Sequence, residues 1–552
     1  MHLSTFVSLA LLLVAPQIRA ANEPAIDERL VTKIINREHA VVEDLQGRHP
    51  IVETYVQGLS SRRNRFLPRA DRYFVSQAEF SGQLRALRFK PSGPEIWRRI
   101  DEYSDSLAPN SLEFVPSGFV AMAFPDDGNF DLRHYRFQYL KNEFLGELRC
   151  LVFDVIPIAM RKTGLFEGRI WVEDQDLTIV RFNGIYRGSN FYRKYFHFDS
   201  WRINAGPGLW LPAAIYSEEL NMPCCGIWKF QWTKIRFRAQ TRFWGYNLQT
   251  ARPEQELAKI VVDPSSLIQD KTASSQAGGP IEQERAWDRQ AEDNVTDALE
   301  SSGLLAPAGD VEKTLRTVVN NLEVTNNLDI QPEIRCRVLM TSTLESAVVG
   351  HTIILSRGLI DVLPNEASLA AILARDLAYT ELDDRAYASF SFADRLIFGP
   401  RESFRKLRFS HKTDQRKQAA DLAEKWMNNS PYKNAAHSVA QLIVELRRLQ
   451  PIPAYHLLQP LIGESVYDTL GAVHAEKKGP VDQADSETHA LPLGSRVIID
   501  PWTDKITFLH LAPSPGQPDD ESVPFGVTPF MLFLTREPRS SAAPLSPKGT
   551  QN

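Results

Sequence analysis

From about residue 25 to residue 255, apolar and polar positions alternate with a period of two. Beyond residue 285 the period changes to that of helices, so the chain reads as a β-rich domain followed by a helix-dominated one. Within the first stretch, GLFEGRIWVEDQDLTIVRFNGIY (Gly164 to Tyr186) predicts a hairpin, two runs of β-branched and aromatic residues around the polar turn Glu173 to Asp176. Further on, Trp228, Phe230 and Trp232 alternate with Lys229, Gln231 and Thr233. The pattern predicts a large antiparallel sheet with one apolar face, partly covered by helix over residues 27–58.

Residues 263–285 lose the alternation and gather Ser, Gly, Pro and Gln, which places a linker at 256–285. The helical domain follows over 286–450, with helices expected at 284–304, 310–322, 365–385, 412–428 and 434–449 and short strands at 334–341 and 351–356. A C-terminal extension, 451–536, returns to strand signals in SRVIIDPWTDKITFLHL and FMLFLTR that suit either domain. The tail at 537–552 has too little apolar surface to order itself. The fold class is α+β, and its 552 residues exceed what one core organises.

Composition narrows the partners. A formal charge of −5 gives no general attraction to nucleic acid. The N-terminus has an apolar run from Phe6 to Ala15, then Pro16 and a cleavage-like site after Ala20, so residues 1–20 read as a secretory signal peptide. No later segment reads as transmembrane, so the mature chain is expected in an exported compartment, periplasmic or extracellular. Export permits a disulfide, and Cys150 with Cys224 or Cys225 is the expected pair; buried free thiols are the alternative for all four cysteines, Cys336 included.

The stretch with most chemistry in it is LAAILARDLAYTELDDR, Leu369 to Arg385. Leu369, Ile372, Leu373 and Leu377 form a core-facing stripe. Its centre, Arg375-Asp376-Leu377-Ala378-Tyr379, has the spacing of H-E-x-x-H, in which two histidines one turn apart bind zinc and the glutamate activates water. The longer segment GHTIILSRGLIDVLPNEASLAAILARDLAY resembles the HtpX-type and CAAX prenyl endopeptidase zinc metallopeptidases, metallopeptidase family forty-eight, over about residues 316–449. Arg357-Gly358-Leu359, Asn365-Glu366-Ala367 and Leu369-Ala370-Ala371 stand in that family's order and spacing, and Lys417 to Asp421 occupies the place of its E-x-x-A-D segment.

The resemblance implies a zincin-like fold and withholds the chemistry. Arg375 and Tyr379 stand where the family has zinc-binding histidines, Asp376 where it has the catalytic glutamate and Lys417 where it has the ligand glutamate; Asp421 alone is retained. A guanidinium has no free lone pair, and two cations repel a dication. An aspartate is also one methylene too short for the general base. No catalytic residue and no cofactor are therefore expected. Two placements remain open: Arg375 pairs with Asp421 across the former site, or Arg375, Asp376 and Lys417 are solvated surface charges. His351, His411, His437 and His456 show no ligand spacing.

The N-terminal half resembles the periplasmic lipoprotein-carrier half-barrels in GRIWVEDQDLTIVRFNG and GLWLPAAIYSEE. Three functions follow: an inactive peptidase-like protein that binds or scaffolds an envelope protein or peptide, an active zinc endopeptidase, and a lipid or lipoprotein carrier.

Overall fold

The structure, a computed structural model, describes residues 28–62, 65–80, 85–89, 116–126, 128–158, 165–187, 197–223, 234–246, 280–363, 365–382, 407–433, 456–465, 497–500, 505–508, 527 and 529–536. The expected signal peptide, the Trp228 to Trp232 alternation, most of the linker, the helix at 434–449 and the tail all lie outside these residues.

Helix α1 (Glu28–Gln46) comes first. Val31, Ile34, Ile35, Glu38, Val41 and Leu45 recur at helical spacing and are buried. The helix expected to reach residue 58 stops early, because after Pro50 the run IVETYVQG is rich in β-branched residues and forms β1 (Ile51–Arg62). Then come β2 (Arg65–Glu79), β3 (Arg85–Arg88), the short α2 (Pro116–Ala121), β4 (Tyr135–Leu145), β5 (Leu148–Pro157), β6 (Leu165–Glu173), β7 (Ile179–Arg187), β8 (His197–Gly206), β9 (Leu209–Pro223) and β10 (Lys234–Trp244).

These strands form one ten-stranded sheet in the order β3-β2-β1-β10-β9-β8-β7-β6-β5-β4, with every pairing antiparallel. Among the described residues the end strands β3 and β4 do not pair with each other, so the sheet they form is open. The expected β6–β7 hairpin is present: the Glu173 carboxylate accepts from Gln175 N at 2.8 Å and Asp176 N at 2.7 Å, which holds the polar turn. Between the same strands Gly168 lies opposite Gly184, where a Cβ on either residue would fall within 2.3 Å of a backbone oxygen on the other strand. That close approach requires glycine at both positions.

The inner face, against α1 and α2, is phenylalanine-rich: Phe74, Phe153, Phe166, Phe182, Phe198 and Phe237 pack with Phe119 of α2 and Phe124. The helix α1 is pinned there by a fully buried ion pair, in which Arg202 of β8 donates to both carboxylate oxygens of Glu38 at 2.6 Å. The outer face is apolar as well, which corrects the expectation of a single apolar face. Cys150, Val152, Trp171, Val180, Trp201 and Trp210 are buried there under an extended C-terminal strap, residues 529–536, whose Phe530, Leu532 and Leu534 turn inward. The strap touches the β4–β5 turn, where Glu147 N donates to Leu534 O at 2.9 Å. At Gly146, with φ +65, a Cβ would come within 2.5 Å of the Leu534 backbone. Cys150 is a free buried thiol among these side chains, pushed up to about 12 by burial, so the expected disulfide from Cys150 is not formed; Cys224 and Cys225 lie outside the described residues.

The rest of the outer face, at β1, β2 and β10, carries the second domain. Its elements are α3 (Pro280–Ser301), α4 (Asp310–Asn326), β11 (Arg335–Leu339), β12 (Glu345–Val349), β13 (Thr352–Ser356), α5 (Arg357–Val362), α6 (Glu366–Glu381), α7 (Thr413–Asn429) and β14 (Glu464–Ser465). The four-stranded sheet runs β11-β13-β12-β14, with β11 parallel to β13 and the other pairs antiparallel. The hairpin β15 (Val497–Asp500) and β16 (Lys505–Phe508) lies beside α4 and α5, so the two C-terminal strand signals part company: the hairpin joins the second domain and FMLFLTR straps the first.

One apolar cluster spans the junction of the domains, with Ile51, Tyr55, Tyr73 and Trp244 packed among Leu304, Leu305 and Leu344. At its centre the Glu53 carboxylate accepts from Tyr73 OH at 2.5 Å, from Ser342 N at 2.6 Å and from Arg242. His456 Nδ1 lies 2.9 Å from Asp71 Oδ1 and makes a second tie.

Candidate functional site

Helix α6 begins at Asn365, whose side chain caps it by accepting from Ser368 N at 2.9 Å. It is not the half-exposed helix its stripe suggested. Ile372 through Tyr379 are buried without a break, because α6 is packed between the small sheet and α7. Arg375, Asp376 and Tyr379 are therefore interior groups, and the solvated-surface placement fails for Arg375 and Asp376.

The expected Arg375–Asp421 pair is not formed either. Lys417 and Asp421 lie on the exposed side of α7. Arg375 instead donates from Nη2 to Asp376 Oδ1 and to Ser346 Oγ of β12, both at 2.6 Å, and from Nε to Asp376 Oδ1 at 3.1 Å. Burial pushes the Asp376 carboxyl above its ordinary range, against the pull of the Arg375 guanidinium.

One turn along, the Tyr379 ring stacks on His411 with centroids 3.6 Å apart, and its hydroxyl lies 3.4 Å from Glu464 Oε2. Glu464 collects the charges: Oε1 accepts from His411 N at 2.8 Å and from Arg416 Nε at 3.0 Å. The residue of α7 that reaches the cluster is thus Arg416, next to the Lys417 that the alignment pointed to. Ser346, Arg416 and Glu464 carry no signal in the sequence, and His411, which has no ligand spacing there, enters the cluster as well. No local spacing could have found them, since they come from three distant segments.

These residues do not fit a zinc ion. Two guanidiniums occupy the cluster, Asp376 is bonded to one of them, and the positions expected to supply the third ligand and its support face solvent. The arrangement is that of a charge-balanced core polar network joining β12, α6, α7 and β14.

The network has a pH signature. Burial raises the Glu464 carboxyl, but hydrogen bonds from His411 and the charge of Arg375 outweigh it and hold the group at about 2. A folded-state pKa below the unfolded value stabilises above about pH 4.5, and that contribution is lost as pH falls from there toward 2. The stability advantage of the wild type over Glu464→Gln is expected to shrink across this window in denaturant titrations, and an advantage that stays constant from pH 5 to pH 2 would contradict the assignment.

The other candidate surface is the inner face of the large sheet. Its apolar layer runs from Val52, Val56 and Phe243 across to Phe153 and Ile170, and at the β4–β5 side it thins to the partly buried Tyr139 and Leu151. Its aromatic rings meet edge to face, as in Phe166–Phe182 at 5.9 Å and 85° and Tyr139–Phe153 at 5.7 Å and 70°.

Among the described residues, no group of three His, Cys, Asp or Glu side chains is placed to hold a metal, and no helix is long and apolar enough to cross a membrane. No family model matches the sequence, and no curated protein matches it. The resemblance of residues 316–449 to zinc metallopeptidases therefore gains no support from comparison. Among solved structures, a LolA superfamily protein from Nitrosomonas europaea is similar at 12% identity and a TM-score of 0.22, covering 39% of this chain and 91% of that one. A DUF1329 family protein from Desulfovibrio piger is similar at 11% identity and a TM-score of 0.21, covering 40% of this chain and 94% of that one. Similarity at this level assigns neither fold nor function.

Proposed function

We propose that the chain is a binding protein for an apolar chain, the acyl group of a lipid or of a lipidated protein, held against the inner face of the ten-stranded sheet. The second domain buttresses the sheet from outside and performs no hydrolysis. The observation that carries this reading is the continuous phenylalanine-rich layer between the sheet and α1 and α2, which reaches partly exposed apolar side chains at the β4–β5 margin. An acyl chain entering at Tyr139 and Leu151 continues a layer that already exists, gaining about 0.8 kcal/mol for each methylene taken from water. The buried network around Arg375 supports the second half of the reading, since it ties strands to helices and its two carboxylates, Asp376 and Glu464, are each bonded to a guanidinium.

Titration with a fluorescent polyene fatty acid tests the reading. Saturable binding, displaced by an unlabelled fatty acid, is expected. Leu151→Asp should weaken it about tenfold or more, because the acyl chain would then meet a charge at the margin. Met531→Ser, on the outward side of the strap, should leave it unchanged. Absence of saturable binding, or equal affinity in Leu151→Asp, overturns the reading.

A further inference from the structure

An antiparallel sheet with open edges presents unpaired N–H and C=O groups to any extended chain, and folded proteins keep such edges short or blunted. One end of the sheet obeys this rule, since β3 has only four residues. The other does not. β4 is 11 residues long, and among the described residues it pairs only with β5. A bulge between Tyr139 and Lys141 divides it. The half before the bulge contributes Tyr135 and Phe137 to the inner core, while Leu140, the extra residue of the bulge, and Lys141, Asn142 and Phe144 beyond it are all exposed.

The exposed half is self-complementary. Laid antiparallel on a second copy of itself with a twofold axis at Asn142, it sets Leu140 opposite Phe144 and Lys141 opposite Glu143, each pair occurring twice. Counting back from the buried Leu145 on the outer face, Phe144 and Asn142 share the inner side and Glu143 and Lys141 the outer, and Leu140, the extra residue of the bulge, ends the alternation. The Lys141–Glu143 pairs therefore lie on one side of the joined sheet, with Phe144 on the other and Leu140 at the end of the ladder. The apolar partners are the ones most in need of cover, with Phe144 68% and Leu140 37% exposed. Lys141 Nζ and Glu143 Oε2 already lie 3.2 Å apart within the strand, so in the dimer the four charges form an alternating cluster.

We infer that the free half of β4 is a homodimer edge, pairing with the same strand of a second copy so that two ten-stranded sheets become one. The inference is independent of what the inner face holds. The contact is small, below the ~1,200 Å² of a standard interface, so a weak, concentration-dependent dimer is the expected form.

Charge-swap variants of the full chain, followed by sedimentation velocity over a concentration series, test it. Lys141→Glu alone and Glu143→Lys alone each place like charges opposite one another twice, and each should weaken association about tenfold or more. The double variant Lys141→Glu/Glu143→Lys restores every opposite-sign pair and should recover the dimer, with circular dichroism confirming that all three variants fold. Amide exchange over residues 140–144 should slow as wild-type concentration rises. A wild type that remains monomeric, a dimer indifferent to both single swaps, or a double swap that fails to recover association each overturns the inference.

Discussion

Replacing Arg202 with Met should lower the unfolding free energy by about 3–5 kcal/mol, measured by denaturant titration. The pair it belongs to is wholly out of water, with both side chains 0% exposed. Arg202 also donates to Ile179 O at 3.1 Å and to Ala123 O at 3.3 Å, so its loss leaves two carbonyls and one carboxylate without their donor. Most of the cost comes from Glu38, left charged between α1 and the sheet, where an unpaired carboxylate is expensive. The double variant Glu38→Leu/Arg202→Met should therefore be more stable than Arg202→Met alone, since it removes the stranded charge and fills the space with carbon. If the double variant were the less stable of the two, the pair would not be acting as a buried charge pair.

Arg375→Leu should be similarly damaging, by about 3–5 kcal/mol, because it strands Asp376 in the interior of the second domain and takes away the donor to Ser346. Adding Asp376→Asn should recover part of the loss. Lys417→Ala and Asp421→Ala should each stay within about 0.5 kcal/mol of wild type, as exposed helix positions do. This contrast separates the observed placement from the one the metallopeptidase alignment implies, in which all four positions converge on one site. Comparable losses at Arg375 and Asp421 would favour the alignment.

Elements set by local pattern were legible in the sequence. The β6–β7 hairpin announced itself by alternation around four polar residues, and α6 by helical spacing behind the Asn365 cap. Burial was less legible, because it depends on what packs from elsewhere. The run Cys150-Leu151-Val152-Phe153 is apolar on both faces of β5, a sign of two-sided burial that a reading based on alternation passes over. In α6 the alanines at 370, 371, 374 and 378 leave no polar face, so Arg375 and Asp376 were bound to be interior unless the helix lay on the surface. The strand β12 was missed because TLESAVVG is short and lies between stronger signals. Glu464 and His411 meet Tyr379 only through the tertiary fold, which no spacing in one sequence records.

Native mass spectrometry of the purified full chain tests the central claim most directly, since one spectrum reports both bound lipid and bound metal. The account predicts a mass excess that matches an acyl-bearing molecule and disappears after organic extraction. The mass of the bare chain under lipid-saturated conditions, or an excess equal to one zinc ion that chelation removes, would contradict it.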